Sequence, residues 1–350
     1  MTYYGGGPLA EVYAAAREGG YGFFASNVTQ FDILVGLLQG VDRVDSDAVV
    51  QVGRDSAAIF GGGDPVVGLD AFGAYLDRFA EFTDVGVFCN VDHVHLPEDR
   101  AFLDAVVETG VASSVMVDAS DRPFEENVSL TREAVQRVRD GDDDMLVEAE
   151  LGRVAGTEGG VETSEAAAFY TDPDEAVEFV EQTGVDLLAV SVGTQHGVAA
   201  GRDLDVRPSV ARDVDAALRA AGHDVPLVVH GASGLSDDGI SAFVDAGVAK
   251  FNKNTRYQYE YARTAADFYH DHADAIRPPA DVADDRGSMF AGADWAPDKT
   301  YFHPHVVSEA VRDRLADVMA RLCRVTGSAG RSLYADAAAD GDSDSPDPDR

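Results

Sequence analysis

The stretch Val85–His95, "VGVFCNVDHVH", decides how the rest of the chain is read. Its opening is apolar and rich in valine, the composition of a strand buried on both faces of a sheet. It then ends abruptly in Asp92, His93 and His95. A strand tip that exchanges apolar side chains for an acid and imidazoles is either a solvated exit from a sheet or a place where charge is wanted beside a core.

Runs of the same kind recur along the chain: "YGFFAS" (21–26), "AVVQV" (48–52), "SSVMV" (113–117), "MLVEAEL" (145–151), "LLAVSV" (187–192), "PLVVH" (226–230) and "AKFN" (249–252). With the stretch around Cys89 they make eight, and amphipathic segments separate them. This rhythm predicts a (β/α)8 TIM barrel. A doubly wound open sheet is the rival, but eight near-equal units within one domain's length favour closure. The helical punctuation agrees. "PEDRAFLDAVVETG" opens with Pro97 and acids and closes on Gly110, and Ser236 is the expected N-cap of "SDDGISAFVDAG". After a Pro-, Asp- and Gly-rich segment from Arg277 to Pro304, "HVVSEAVRDRLADVMARLCRVTG" reads as one long terminal helix. Residues 1–332 are therefore expected to form a single barrel domain with an extra C-terminal helical segment, and 333–350 an acidic, disordered tail.

Composition narrows the function. The chain has 350 residues, 45% of them apolar, enough for a large core. Its 63 Asp plus Glu against 27 Lys plus Arg leave a net charge of -36, which disfavours nucleic acid and anionic membranes as partners. Acids spread along the whole length suggest a surface adapted to high salt, as in a halophile. No segment is apolar for long enough to span a bilayer, the N-terminus lacks a signal-peptide pattern, and the cytoplasm is the expected compartment. Cys89 and Cys323 read as packed thiols.

In a parallel barrel the active site sits at the C-terminal ends of the strands. There the third strand ends in Asp92 and His93, the fifth in Glu148 and Glu150, the sixth in "SVGTQH" with His196, the seventh in His230 and the eighth in Asn252. Three imidazoles with carboxylates on one rim predict a catalytic metal site. Glycines directly after His196 and His230, at strand-to-helix junctions, would let backbone amides approach an anion such as phosphate. That would allow phosphate binding even on an acidic protein. His95 is expected beside the metal site or at the surface, and His303 and His305 in a loop.

The chain resembles the class II, metal-dependent fructose-bisphosphate aldolase family. The matching segments are "NVDH", "SSVMVDAS" followed by "PFEENVSLT", "VEAELGRVAG", "SVGTQHG", "VPLVVHGASGL" and "AKFNKNT". The resemblance implies His93, His196 and His230 as ligands of a divalent cation, Zn2+ first and Mn2+ or Fe2+ as alternatives. It implies Asp92 as the acid/base, Glu150 as the ligand of an alternate metal position, and Asp118 as a further polar residue near it. Gly197, Gly231, Ser233, Asn252, Asn254 and Thr255 fall where the family binds dihydroxyacetone phosphate. By the same resemblance Asn27 is expected to line the site and Glu158 to handle the proton on the nucleophilic carbon. Asn254 stands where the family usually has Asp, and Gly53 replaces a serine that faces the far phosphate, a role for which Arg54 or Ser56 beside it could substitute.

The implied reaction is reversible cleavage of fructose 1,6-bisphosphate to dihydroxyacetone phosphate and glyceraldehyde 3-phosphate, a step of glycolysis and gluconeogenesis, in a homo-oligomer (dimer or tetramer). Aldol cleavage leaves an electron pair on the carbon beside a carbonyl, which a cation held by neutral imidazoles stabilises as a Lewis acid. A tagatose-bisphosphate or other ketose-bisphosphate aldolase is the nearest alternative, because epimers differ only in hydroxyl placement. A metal-dependent hydrolase on the same barrel would use similar ligands but has no need of the phosphate cradle. A non-catalytic scaffold would not need ligands, base and loop acid together. A Schiff-base aldolase would need a strand lysine, and Lys250 is the one strand-end lysine in the expected strands.

Overall fold

Every one of the eight apolar runs forms a parallel strand, and the strands close into a barrel in the order β1-β10-β9-β8-β5-β4-β3-β2. The computed structural model describes residues 3–152, 154, 156–158, 161–163, 170–198 and 204–335. The barrel strands are β1 (Phe23–Asn27), β2 (Ala48–Gly53), β3 (Val87–His95), β4 (Ser114–Asp118), β5 (Leu146–Leu151), β8 (Leu187–Val190), β9 (Leu227–Val229) and β10 (Val248–Lys253). A short antiparallel hairpin, β6 (Gly156–Glu158) and β7 (Val161–Thr163), follows β5.

Helix α1 (Gly6–Gly19) precedes the barrel, and α2 (Phe31–Asp42), α3 (Arg54–Phe60), α4 (Pro65–Ala80), α5 (Arg100–Thr109), α6 (Phe124–Gly141), α7 (Pro173–Thr183), α8 (Pro208–Ala220), α9 (Asp237–Val244) and α10 (Thr255–Asp271) surround it. Short helices α11 (Ala273–Ile276) and α12 (Lys299–Phe302) lead to α13 (Pro304–Thr326). The expected caps are present. Gly110 ends α5 in the left-handed conformation, and Ser236 caps α9 by accepting from the Gly239 N–H, a contact that stabilises a helix by about 1 kcal/mol.

The core has two layers. One fills the space between strands and helices, with Val91, Val94, Phe251 and Phe24 among its members. The other fills the barrel's lower interior, where Leu9, Val12 and Tyr13 of α1 pack on Phe23, Val49, Phe88 and Val228. Helix α1 thus closes one end and leaves the strand tips as the open mouth. The extra helix α13 packs along α2 and α10. Gly36 and Gly40 permit that approach: a Cβ at Gly40 would lie 2.7 Å from the Ala316 carbonyl oxygen, and one at Gly36 2.8 Å from that of Arg312.

Two details depart from the sequence reading. His305 lies in the first turn of α13 rather than in a loop, with His303 as the N-cap residue. Residues 333–335, expected in the tail, are held: the Leu333 N–H donates to Asp47 Oδ2 at 3.0 Å, and the Tyr334 ring packs 4.2 Å from that of Tyr4. The rest of the expected acidic tail, 336–350, lies outside the described residues. No described helix is long and apolar enough to cross a membrane.

Candidate active site

Asn27, Asp92, His93, His196, Gly197, Gly231, Ser233, Asn252, Asn254 and Thr255 line one pocket at the barrel mouth. Residues separated by more than 200 positions meet there because each sits at or just beyond the tip of a strand. The question posed by "NVDH" is how two successive residues can both face the pocket when strand side chains alternate.

A bulge supplies the answer. Along β3 and β4, Val91 pairs with Val115 and the register resumes with Val94 opposite Val117. Asp92 and His93 therefore both face Met116, so β3 carries one extra residue. His93 takes up the turn in left-handed backbone, φ 44°, a conformation rare outside glycine. Val91 and Val94 then both join the outer core, and Asp92 and His93 both line the pocket.

His93, His196 and His230 present ring nitrogens within 4.8 Å of one another. A carboxylate orients two of the rings. His93 Nδ1 lies 2.9 Å from Asp118 Oδ2, and His230 Nε2 lies 2.9 Å from Glu148 Oε1. The carboxylates thus engage Nδ1 of His93 and Nε2 of His230, the arrangement in which an outer carboxylate fixes a metal-binding imidazole. His230 Nδ1 is buried without a hydrogen-bond partner, and Glu150 Oε2, 2.9 Å away, is out of hydrogen-bonding alignment with it. The three-imidazole donor set, with no hydrogen bond made to His230 Nδ1, fits a divalent cation with an open position.

The electrostatics suit a cation. Burial opposes a charged His230, but Glu148 and Glu150 outweigh it and raise the pKa to about 9. Burial likewise opposes ionised Glu148, while Lys250 and His230 hold its pKa down at about 2. Asp118 is buried too, yet its contacts with His93 and His95 keep it well below the usual carboxylate range. The centre therefore carries fixed negative charge behind the imidazoles.

Asp92 is clamped. Its Oδ2 accepts from Asn27 Nδ2 at 2.8 Å and its Oδ1 from Asn252 Nδ2 at 3.0 Å. Behind Asn27 runs a buried relay: Gln51 Nε2 donates to Asn27 Oδ1 at 2.9 Å, Asn90 Nδ2 to Gln51 Oε1 at 3.1 Å, and Ser114 Oγ to Asn90 Oδ1 at 2.7 Å. Sequence reading passed over Gln51, Asn90 and Ser114. The signal was present: each is a polar residue inside an otherwise apolar run, which a buried strand tolerates only where it finds partners.

On the other wall, Gly231 has φ 68°, and a Cβ there would lie 2.7 Å from the Gln195 carbonyl oxygen. Glycine thus lets the loop after His230 press against the loop that carries His196. A 3-10 turn follows at Ala232–Gly234. Ser233 Oγ in that turn accepts from the Asn254 N–H at 3.3 Å, and α10 begins at Thr255. The Oδ1 atoms of Asn252 and Asn254 are buried without partners.

The remaining expected residues lie apart. Asp118 stands behind His93 and also approaches His95, whose Nδ1 is 3.6 Å from its Oδ2. Strand β3 does continue to His95, and its ring stacks on that of His93 at 5.8 Å. Arg54 starts α3 and pairs with Asp99 at 3.2 Å and Asp55 at 3.9 Å, outside the set that lines the pocket. The backbone of Glu158 belongs to β6, and its side chain lies outside the described part.

Known proteins share the family and the fold. The family model described as fructose-bisphosphate aldolase class-II matches residues 8–331. A D-tagatose-1,6-bisphosphate aldolase subunit, GatY, from Klebsiella oxytoca is 36% identical over 202 residues, which are 57% of this chain and 66% of that protein, just short of two thirds of its length. Among solved structures, the fructose-bisphosphate aldolase of Campylobacter jejuni superposes with a TM-score of 0.78 at 21% identity, over 93% of this chain and 96% of that one. The YdjI aldolase of Escherichia coli K12 gives 0.66 at 26% identity, over 93% and 98%. A closed parallel barrel with a histidine cluster at its mouth defines the class, and the chain belongs to the class II fructose-bisphosphate aldolase family, a family of metal-dependent lyases.

Proposed function

We propose that this protein cleaves a ketose 1,6-bisphosphate, fructose 1,6-bisphosphate first, into dihydroxyacetone phosphate and glyceraldehyde 3-phosphate, and catalyses the reverse condensation in glycolysis and gluconeogenesis. The observation that carries the reading is Asp92, held between Asn27 and Asn252 in the same pocket as the three-histidine cluster. A divalent cation on His93, His196 and His230, zinc in preference to manganese or iron, would polarise the substrate carbonyl. Asp92 takes the proton from the C4 hydroxyl in cleavage and returns it in condensation. Its two amide clamps fix the direction in which that proton moves.

The amides around Gly197, Gly231 and Ser233, together with Asn254 and Thr255 at the start of α10, hold the near phosphate by dipole and hydrogen bond. Glu158 serves the carbon-bound proton of the triose phosphate. Glu150, beside His230 Nδ1, offers a carboxylate for an alternate metal position. Arg54 reaches for the far phosphate with a guanidinium fork. The enzyme works in the cytoplasm of a salt-rich cell as a homo-oligomer.

The 36% identical relative supports tagatose 1,6-bisphosphate as a second substrate reading. Triose phosphate release from both epimers by the purified protein in molar salt, before and after chelation, tests the assignment. Release from fructose 1,6-bisphosphate that stops on chelation, and after His196→Ala or His230→Ala, is expected. Preference for the other epimer would transfer the assignment to it. Activity that survives chelation, with borohydride trapping a lysine adduct, would remove the metal reading.

A further inference from the structure

Lys253 is a polar residue at the tip of β10 that the site leaves unexplained. It stands between Asn252 and Asn254 yet faces the outer layer, where its Nζ lies 4.9 Å from the centre of the Phe24 ring. It is 3% exposed. Among the described residues no carboxylate forms an ion pair with it, and a buried ammonium without a counter-charge is costly. Its Nζ donates to the Ala232 carbonyl oxygen at 2.7 Å. That carbonyl belongs to the 3-10 turn Ala232–Gly234, whose Ser233 Oγ accepts from the Asn254 N–H at 3.3 Å. Lys253, the last residue of β10, and Asn254 just after it therefore grip the same turn, Asn254 from the pocket side and Lys253 from behind.

We propose that Lys253 is a positioning residue of the near-phosphate subsite: its ammonium clamps the Gly231–Gly234 turn and places a positive charge directly behind it, where it favours a bound phosphate. This rests on the phosphate reading given above. On a chain with a net charge of -36, a local buried cation is the means to offset long-range repulsion of an anionic substrate.

The surroundings make the charge responsive. Lys253 lines a cleft of about 270 Å3 with Asp237 of α9, Arg256 of α10, and Arg314, Asp317 and Arg321 of α13; β1 contributes the uncharged Phe24 ring. Burial, then the nearby Arg256, lower the pKa of Lys253 to about 7, with Asp237 opposing. The ammonium is present below that value and lost above it. A phosphate that favours the charged form raises the pKa on binding, so the benefit is full in mild acid and vanishes in base.

The test uses the metal-loaded full chain and inorganic phosphate as the probe, with binding measured by calorimetry on wild type, Lys253→Met and Lys253→Gln. Loss of a charge-assisted contact predicts phosphate affinity roughly tenfold weaker in both variants at about pH 6, closing to less than about twofold at about pH 9.5. Equal affinity of wild type and variants at the lower pH would overturn the proposal, and so would a loss of the same size at both pH values. Wild type that binds no phosphate at either pH would instead remove the phosphate reading of the pocket itself. Thermal melting checks that the variants are folded, and Lys253→Gln, which keeps a donor in place, carries the test if Lys253→Met does not fold.

Discussion

Glu148 Oε1 lies 2.9 Å from His230 Nε2, deep in the barrel, while Glu148 Oε2 accepts the Lys250 ammonium at 2.5 Å. One carboxylate thus orients a ligand imidazole and neutralises the strand lysine, which is fully buried. Lys250 is committed to this pair, and its place among metal-ligand candidates is that of a counter-charge.

Glu148→Gln keeps the shape but removes the charge behind His230. Loss of such an outer carboxylate weakens metal binding by about 10- to 100-fold, which competition against a graded chelator would measure. Lys250→Met leaves Glu148 Oε2 buried without its cation and is expected to destabilise the fold by about 3–5 kcal/mol, visible in thermal melting. Unchanged metal affinity in Glu148→Gln would show that the charge behind His230 is not needed to hold the ion.

Asp92→Asn retains the amide-sized side chain between Asn27 and Asn252 but cannot accept a proton. Turnover should fall by about two to four orders of magnitude, the range of a general acid–base, while metal content by elemental analysis stays at the wild-type level. Should the variant lose its metal and regain normal turnover on reconstitution, Asp92 belongs to the metal and not to the proton.

Arg54 pairs with Asp99 at 3.2 Å through a side chain that is half exposed. If it serves the far phosphate, Arg54→Ala raises the KM for the bisphosphate by about tenfold, the size of a lost charged hydrogen bond. Exchange of the triose phosphate proton needs only the near phosphate and should change little. Equal effects on both would return Arg54 to the surface and its acidic neighbours.

Gly40→Val tests the union of α13 with the barrel. The new Cβ would meet the Ala316 carbonyl oxygen and Met319 Cβ, each at 2.7 Å. Overpacking of this kind costs about 1–3 kcal/mol, and the melting temperature reports it. A variant as stable as wild type would mean that α13 can slide along α2.

The eight strands, the caps at Gly110 and Ser236, and the gathering of His93, His196 and His230 at the barrel mouth were all legible in the sequence. The reason is that apolar periodicity and turn residues act over a few positions. Even the polar residues that escaped notice, Gln51, Asn90 and Ser114, were visible as interruptions of apolar runs, but their partners lie on neighbouring strands. Strand register is non-local, so only the closed barrel could show that these side chains form one relay ending on Asp92. The same holds for the bulge that turns Asp92 and His93 together into the pocket, since "VDHV" reads as plain alternation until Val94 is seen opposite Val117. Lys253 likewise sits in a motif whose spacing was clear, yet which face of β10 it takes, and that it grips the turn after His230, was decided by packing between β10, Phe24 and that turn.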